Sequence, residues 1–266
     1  MHTVTSKDGT TIAFDQLGTG NPVILVDGAL GYRKDERQQQ LATLLSEHFT
    51  VINYDRRGRG DSTDTAPYAV EREIEDIDAL IDYAGETAFV FGMSSGAILA
   101  LKAAQHITDK ITKLALYEPP FILDDSRPPL PADYVTQLNT TIADGNRSHA
   151  VEIFMTQAIM LPEEYLAYMK ADTMWASMEK VAHTLAYDGM VSQDMMRGEP
   201  WETGHWLSVT AKTIVITGEN SEPFFHTTAQ QLADDLLHGK TATLAGQDHG
   251  VDMSVLAPEL IAFFSA

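Results

Sequence analysis

The sequence predicts an α/β fold, an eight-stranded and mostly parallel sheet with helices on both faces and an inserted helical cap. Three observations predict it. Eight short apolar runs alternate with amphipathic stretches, the rhythm of strands joined through helices. The later runs are near-continuous Val, Ile, Leu and Phe, as parallel strands buried on both faces require. From about Phe121 to Leu207 the strand signal then stops altogether, a gap too long for an ordinary crossover connection.

In chain order, "HTVTS", "TIAFDQL", "PVILVDG" and "FTVINYD" read as the first four strands. "VEREIEDIDALIDYAG" follows as a helix, because Ile74, Ile77 and Ile81 recur at helical spacing. Its acids read as a solvated face rather than as paired catalytic carboxylates. "AFVFGM" and "ITKLALYE" are strands five and six, with the helix "AILALKAAQHI" between them. "DDSRPPLPADY" is a proline-rich linker that delays the next helix. "SHAVEIFMTQAIM" and "LPEEYLAYMKADTMWASMEKVAHTLAY" are the cap's helical runs. "KTIVITG" and "KTATLAG" complete the sheet, with "FFHTTAQQLADDLL" and "APELIAFFS" as the closing helices. The expected organisation is a core of residues 1–120 and 208–266, with residues 121–207 as the cap.

The formal charge of −20, from 38 acidic against 18 basic residues, argues against nucleic acid and anionic membrane surfaces as partners. No run of apolar residues is long enough to span a bilayer. The amino terminus lacks the basic start and apolar stretch of a signal peptide. With no cysteine, disulfides, zinc–thiolate sites and cysteine nucleophiles are excluded. No two histidines have metal-ligand spacing. These features lead to the expectation of a cytoplasmic protein acting on a small molecule without metal or cofactor, and they leave a homodimer open.

The chemistry is concentrated in "FVFGMSSGAILALKAA". A strand runs into Gly92-Met93-Ser94-Ser95-Gly96 and then into a helix, the G-x-S-x-G pattern in its strand–turn–helix setting. A serine on so sharp a turn needs neighbours without Cβ atoms. Ser94 is therefore the candidate nucleophile, and the backbone N–H of Ser95 faces a developing oxyanion from the helix start. A harmless glycine-rich turn is the alternative. A serine hydroxyl also needs an imidazole base within hydrogen-bond reach. Of nine histidines, His249 in "TATLAGQDHGVD" lies just after the last strand, and the others fall on helices, in the cap or near the amino terminus.

At these residues the chain resembles the α/β-hydrolase superfamily, over essentially its whole length. The resemblance identifies His249 with the family's catalytic histidine. It matches "VILVDGALG" to the strand carrying half of the oxyanion hole, usually His-Gly and here Asp27-Gly28, which implies a second N–H donor at Gly28 or Ala29. The Asp27 side chain would brace that loop. "YDRRGRGDS" looks like the family's structural turn after the fourth strand, with Asp55, Arg57, Gly58, Gly60 and Ser62 in place. That match outweighs the adhesion tetrapeptide Arg59-Gly60-Asp61-Ser62, and the turn lacks the third glycine of a dinucleotide fingerprint.

The family's usual acid would fall in the loop after strand seven. That loop offers Glu219, Asn220, Ser221 and Glu222, and Ser221 carries no charge. Glu118, at the tip of strand six and fixed by Pro119-Pro120, is the candidate acid, with Glu222 and Glu219 as alternatives. The pattern is closest to zearalenone-lactone hydrolases, which pair a Cys-Ser-Ser-Gly-Ala elbow with a Glu-Leu-Pro segment after strand six and carry Asp-Gly at the oxyanion strand. Here Met93-Ser94-Ser95-Gly96-Ala97, Glu118-Pro119-Pro120 and Asp27-Gly28 stand at the matching places.

Eight of eleven methionines fall between Met155 and Met196. They read either as an adaptable apolar pocket or as packing within the cap. Leu30, Met93 and Trp175 are the candidate pocket residues, and Trp201 and Trp206 read as sealing the hinge. The expected function is hydrolysis of a neutral, largely apolar ester or lactone through an acyl-enzyme. C–C bond hydrolysis, cofactor-free peroxidation and a non-catalytic small-molecule receptor are the rivals.

Overall fold

Alternating side chains of the central strands sort to two sides of one sheet. In β3 (Pro22–Val26), Val23 and Leu25 join one buried cluster, and Ile24 and Val26 join the other. β7 (Lys212–Gly218) repeats this, with Ile214 and Ile216 on one side and Val215 on the other. This is the period-two signature of a strand buried on both faces. The computed structural model describes residues 1–266. The remaining strands are β1 (His2–Thr5), β2 (Thr11–Leu17), β4 (Thr50–Tyr54), β5 (Ala88–Met93), β6 (Ile111–Tyr117) and β8 (Gly239–Leu244). They form a single sheet in the order β1-β2-β4-β3-β5-β6-β7-β8. β1 and β2 pair antiparallel and β2 meets β4 antiparallel, and every later pair is parallel.

The helices are α1 (Glu36–Leu45), α2 (Val70–Ala84), α3 (Ser95–His106), α4 (Tyr134–Ala143), α5 (Arg147–Ile153), α6 (Glu163–Lys170), α7 (Thr173–Val181), α8 (Leu185–Ser192), α9 (Pro223–Asp235) and α10 (Met253–Ser265). α1 and α10 cover one face of the sheet, and α2, α3 and α9 cover the other. Between β6 and β7 there are only helices, α4 to α8 with a π-helical turn at Phe154–Ala158. They share a buried cluster of their own around Tyr134, Leu138, Val151, Trp175 and Leu185. Trp201 and Trp206 pack with Phe121 where this helical segment returns towards β7.

Two features depart from the sequence reading. α1 carries three consecutive glutamines and little apolar surface, so periodicity does not mark it. Asp35 starts it by accepting the Arg37 N–H at 3.0 Å, and Leu41, Ala42 and Leu45 anchor it against the sheet. In α2 the isoleucine stripe is buried as expected, but Glu73 and Asp76 are buried too. They are not a solvated face. Glu73 pairs with Arg56 and Asp76 with Arg57, both at 2.7 Å, which offsets the cost of taking these charges out of water.

Candidate active site

The carboxyl ends of β5, β6, β7 and β8 lie side by side, and each delivers one part of the site. β5 stops at Met93 and α3 begins at Ser95, leaving Ser94 on the turn with φ 56° and ψ −127°. Its flanking glycines are required by contact. A Cβ at Gly92 would lie 2.5 Å from the Gly96 carbonyl oxygen, and one at Gly96 would lie 2.3 Å from that of Val26. The Ser94 N–H donates to the Tyr117 carbonyl at 2.9 Å, tying the turn to the end of β6.

β6 and β7 run in register, Tyr117 opposite Ile216. The next residue, Glu118, therefore leaves the sheet beside Thr217 and Gly218. It is fully buried, with φ 47°. Its Oε2 accepts the Nδ1–H of His249 at 2.7 Å, and its Oε1 accepts the Gly218 N–H at 2.7 Å and the Ser221 hydroxyl. With Nδ1 donating, Nε2 of His249 is left to accept, and Ser94 Oγ lies 3.2 Å from it. The Phe225 ring stacks on the imidazole at 4.9 Å and 13°. The Tyr117 hydroxyl donates to the Asp248 carbonyl at 2.5 Å and fixes the loop that carries His249. Ser94, His249 and Glu118 thus form one hydrogen-bonded line. Glu219 instead accepts the Gly246 N–H, and Glu222 is exposed.

Opposite this line lies the loop after β3. Gly28 passes so close that a Cβ there would meet Ser94 Cβ at 3.1 Å. The sequence leaves Gly28 and Ala29 equal as donors, but the structure separates them. The Gly28 N–H is occupied by Asp27 Oδ1 at 2.8 Å, whereas the Ala29 and Ser95 N–H groups enter none of the fold's hydrogen bonds. Leu30, Ser94 and Glu118 are three of the five non-glycine residues with positive φ. Backbone strain of this kind persists where surrounding contacts over-determine it.

Two cavities meet at Ser94 and His249. The smaller, about 130 Å³, runs beneath the helical segment past Tyr134, Gly189, Met196 and Phe225. The larger, about 520 Å³, is a groove lined by Leu30, Met93, Met155, Met174, Met178 and Met253. Leu30 and Met93 therefore lie where the sequence expects pocket residues. Trp175 lines neither cavity. Its indole is buried among the helices, its N–H shared by Ser148 and Glu179, while its neighbours Met174 and Met178 reach the groove. No cluster of three or more His, Asp or Glu side chains is arranged to hold a metal ion. No helix is long and apolar enough to cross a membrane.

A family model described as "Alpha/beta hydrolase family" matches residues 18–262. The chain belongs to that family. Among solved structures, an alpha/beta hydrolase from Sphaerobacter thermophilus is 50% identical, with a TM-score of 0.90 over 99% of this chain and 100% of its own. The enol-lactonase from Burkholderia xenovorans shares the fold at a TM-score of 0.71 and 18% identity, over the whole of both chains. A bifunctional esterase/perhydrolase from Acinetobacter calcoaceticus is 24% identical over 99% of each chain.

In this alpha/beta hydrolase the turn after β4 does more than bend the chain. Arg59 Nη1 donates to the Gly28 carbonyl at 2.6 Å. Carbonyl and N–H of a trans peptide point in opposite directions, so this contact aims the Ala29 N–H away from Arg59. Asp188 of α8 then binds Arg56 and Arg59, both at 2.6 Å, and accepts the Ser95 hydroxyl at 2.8 Å. Burial alone would raise the Asp188 pKa, but Arg59, Arg56 and the Ser95 hydroxyl hold it below the usual aspartate value. In the sequence this turn resembles only a structural element, and nothing marks Asp188, a lone acid in a helix without any motif.

Proposed function

We propose that this alpha/beta hydrolase cleaves a carboxylic ester or lactone, with a largely apolar body, through an acyl-enzyme on Ser94. The observation that carries the reading is the hydrogen-bonded line from Ser94 through His249 to Glu118, facing two unoccupied backbone N–H groups. Ser94 Oγ attacks the carbonyl carbon while His249 Nε2 takes its proton. Glu118 keeps the imidazole oriented and offsets the positive charge it gains, an arrangement whose loss costs about 10⁴-fold in turnover in serine hydrolases. The N–H groups of Ala29 and Ser95 receive the oxyanion of the tetrahedral intermediate, and one such donor is worth about 10²–10³-fold. Imidazolium then protonates the leaving alkoxide, and water repeats the sequence in reverse to free the acid and Ser94.

The two cavities supply separate compartments for the two sides of the scissile bond. In a lactone these remain joined in one product, and the broad methionine groove gives room for that. The names of the enol-lactonase and the esterase/perhydrolase favour acyl transfer from oxygen. The combination of Asp27-Gly28, Met93-Ser94-Ser95-Gly96-Ala97 and Glu118 is shared in pattern with zearalenone-lactone hydrolases. It favours a lactone over an open-chain ester within that class, without extending to the neutral substrate of those enzymes.

A fluorophosphonate probe tests the reading. Wild-type protein is expected to label at Ser94 and Ser94→Ala to stay unlabelled, with a graded panel of esters and lactones hydrolysed by the wild type alone. A native protein that neither labels nor turns over any of them would overturn it.

A further inference from the structure

One charged side chain in the smaller cavity has no part in the chemistry above. Arg127 lies between β6 and α4 and is buried, only 8% exposed. Its single hydrogen bond in the fold runs from Nη2 to the Ala158 carbonyl at 2.8 Å, and its Nε is buried without a partner. The guanidinium sits 4.7 Å above the Phe224 ring and lines the same cavity as Ser94 and His249.

No carboxylate pairs with it, in contrast to the other buried arginines of the chain. Arg33, Arg56, Arg57 and Arg59 are all in ion pairs. Burying a guanidinium without a counter-charge is costly, and that burial lowers the Arg127 pKa, with Glu222 acting the other way. Glu222 is exposed at the rim of the cavity, so solvent screens its charge. The other acid in the lining, Asp188, is already committed to Arg56 and Arg59. Around them the wall is apolar, formed by Leu130, Phe154, Ile159, Met196 and Phe225.

We propose that Arg127 is a substrate-recognition residue that binds a carboxylate carried on a short apolar tether, so that the substrate is the ester or lactone of a dicarboxylic acid or of a carboxylated alcohol. A carboxylate is the planar, acceptor-only partner that a guanidinium fork matches. The apolar side chains that share the cavity lining with Arg127 suit a methylene tether. The cavity's small volume excludes a bulky one. This inference rests on the acyl-transfer reading and replaces the sequence-based expectation of a wholly neutral substrate.

The test compares monoethyl esters of linear dicarboxylic acids, four to eight carbons long, with the matched half-amides, which are neutral and nearly isosteric. At one chain length, wild-type kcat/KM for the acid is expected to exceed that for the amide by about 100-fold, the scale of a buried charge pair. In Arg127→Met that ratio should fall towards unity, and Arg127→Lys should restore part of it. Fluorophosphonate labelling of each variant reports whether the site is folded. Wild-type protein that labels and hydrolyses esters yet treats acid and amide alike at every length overturns the proposal and leaves the acyl-transfer reading standing. So does a preference for the acid that survives in Arg127→Met. Absence of labelling and of all ester hydrolysis would instead fail the underlying reading.

Discussion

Ser221 donates its hydroxyl hydrogen to Oε1 of Glu118, the carboxylate whose other oxygen receives the Nδ1–H of His249. The residue in the loop after β7 and the residue at the tip of β6 therefore act on one carboxylate. β6 and β7 are adjacent and in register, so the side chains leaving their ends converge although a hundred residues separate them in the chain. Ser221 lacks charge, and its contribution is to hold the charge supplied by Glu118.

Exchanging these two roles should be partly tolerated. Glu118→Gln is expected to lower kcat by about 10³–10⁴-fold with folding intact, and Glu222→Gln should leave kcat unchanged. Ser221→Ala removes one donor to a charged acceptor and should cost about tenfold. In Glu118→Ala, adding Ser221→Asp is expected to recover at least part of the lost activity. Ester hydrolysis by the four single variants and the double variant checks the set.

Arg59 is expected to act through the Gly28–Ala29 peptide. Arg59→Met should lower kcat by about tenfold with little change in KM, because the contact matters where the oxyanion forms. A boronic acid that mimics the tetrahedral intermediate should lose affinity in parallel, whereas a ground-state ester analogue should not. Equal weakening of both ligands would point to a merely structural role.

Asp188 stabilises two buried guanidiniums at once. Asp188→Ala should cost about 3–5 kcal/mol, the scale of removing one partner from a buried ion pair. Its folded pKa is depressed, so its contribution is present above the unfolded value near pH 4 and lost as the pH falls through the lower, folded value. Urea unfolding of wild type and variant between pH 3 and pH 7 should show their stabilities converging towards the acid end.

Asp27 has the opposite sign. Burial pushes its carboxyl up to about 6, with the Gly28 N–H and Arg59 drawing it partly back. The folded protein therefore keeps this proton over a range where the unfolded chain has lost it. Stability should fall as the pH rises from about 4 to about 6 and then level off. Asp27→Asn keeps an acceptor for Gly28 but cannot ionise. Its melting temperature relative to wild type is expected to climb through that window and plateau above it, with activity retained.

The centre of the sheet is legible in the sequence because its strands there are apolar on both faces and several end at glycines or prolines. α1 is not, since "ERQQQLATLL" is held by a cap and three apolar residues rather than by a continuous stripe. Ser94 and His249 stand out in the sequence as candidates because each occupies a fixed place relative to a strand end, and Glu118 because the loop after β7 lacks an aspartate. Asp188, Arg59 and Arg127 left no comparable trace. Their roles depend on which distant group lies opposite, and an isolated charged residue in a helix, turn or linker carries no local sign of burial. The same reason hid Glu73 and Asp76, whose arginine partners lie on another element.

The ties from Asp188 to Arg56 and Arg59 also constrain how material reaches Ser94. Swinging α8 away from the sheet would strip Arg59 of its counter-charge and leave Arg56 with Glu73 alone, at the cost of breaking a buried ion pair. The groove offers a less costly path, where the exposed Met174 and half-buried Met178 side chains can rotate aside on the nanosecond scale. Those thioethers are also the oxidisable part of the route. Sulfoxidation there would put polar groups in the doorway and slow entry while leaving the machinery behind it intact.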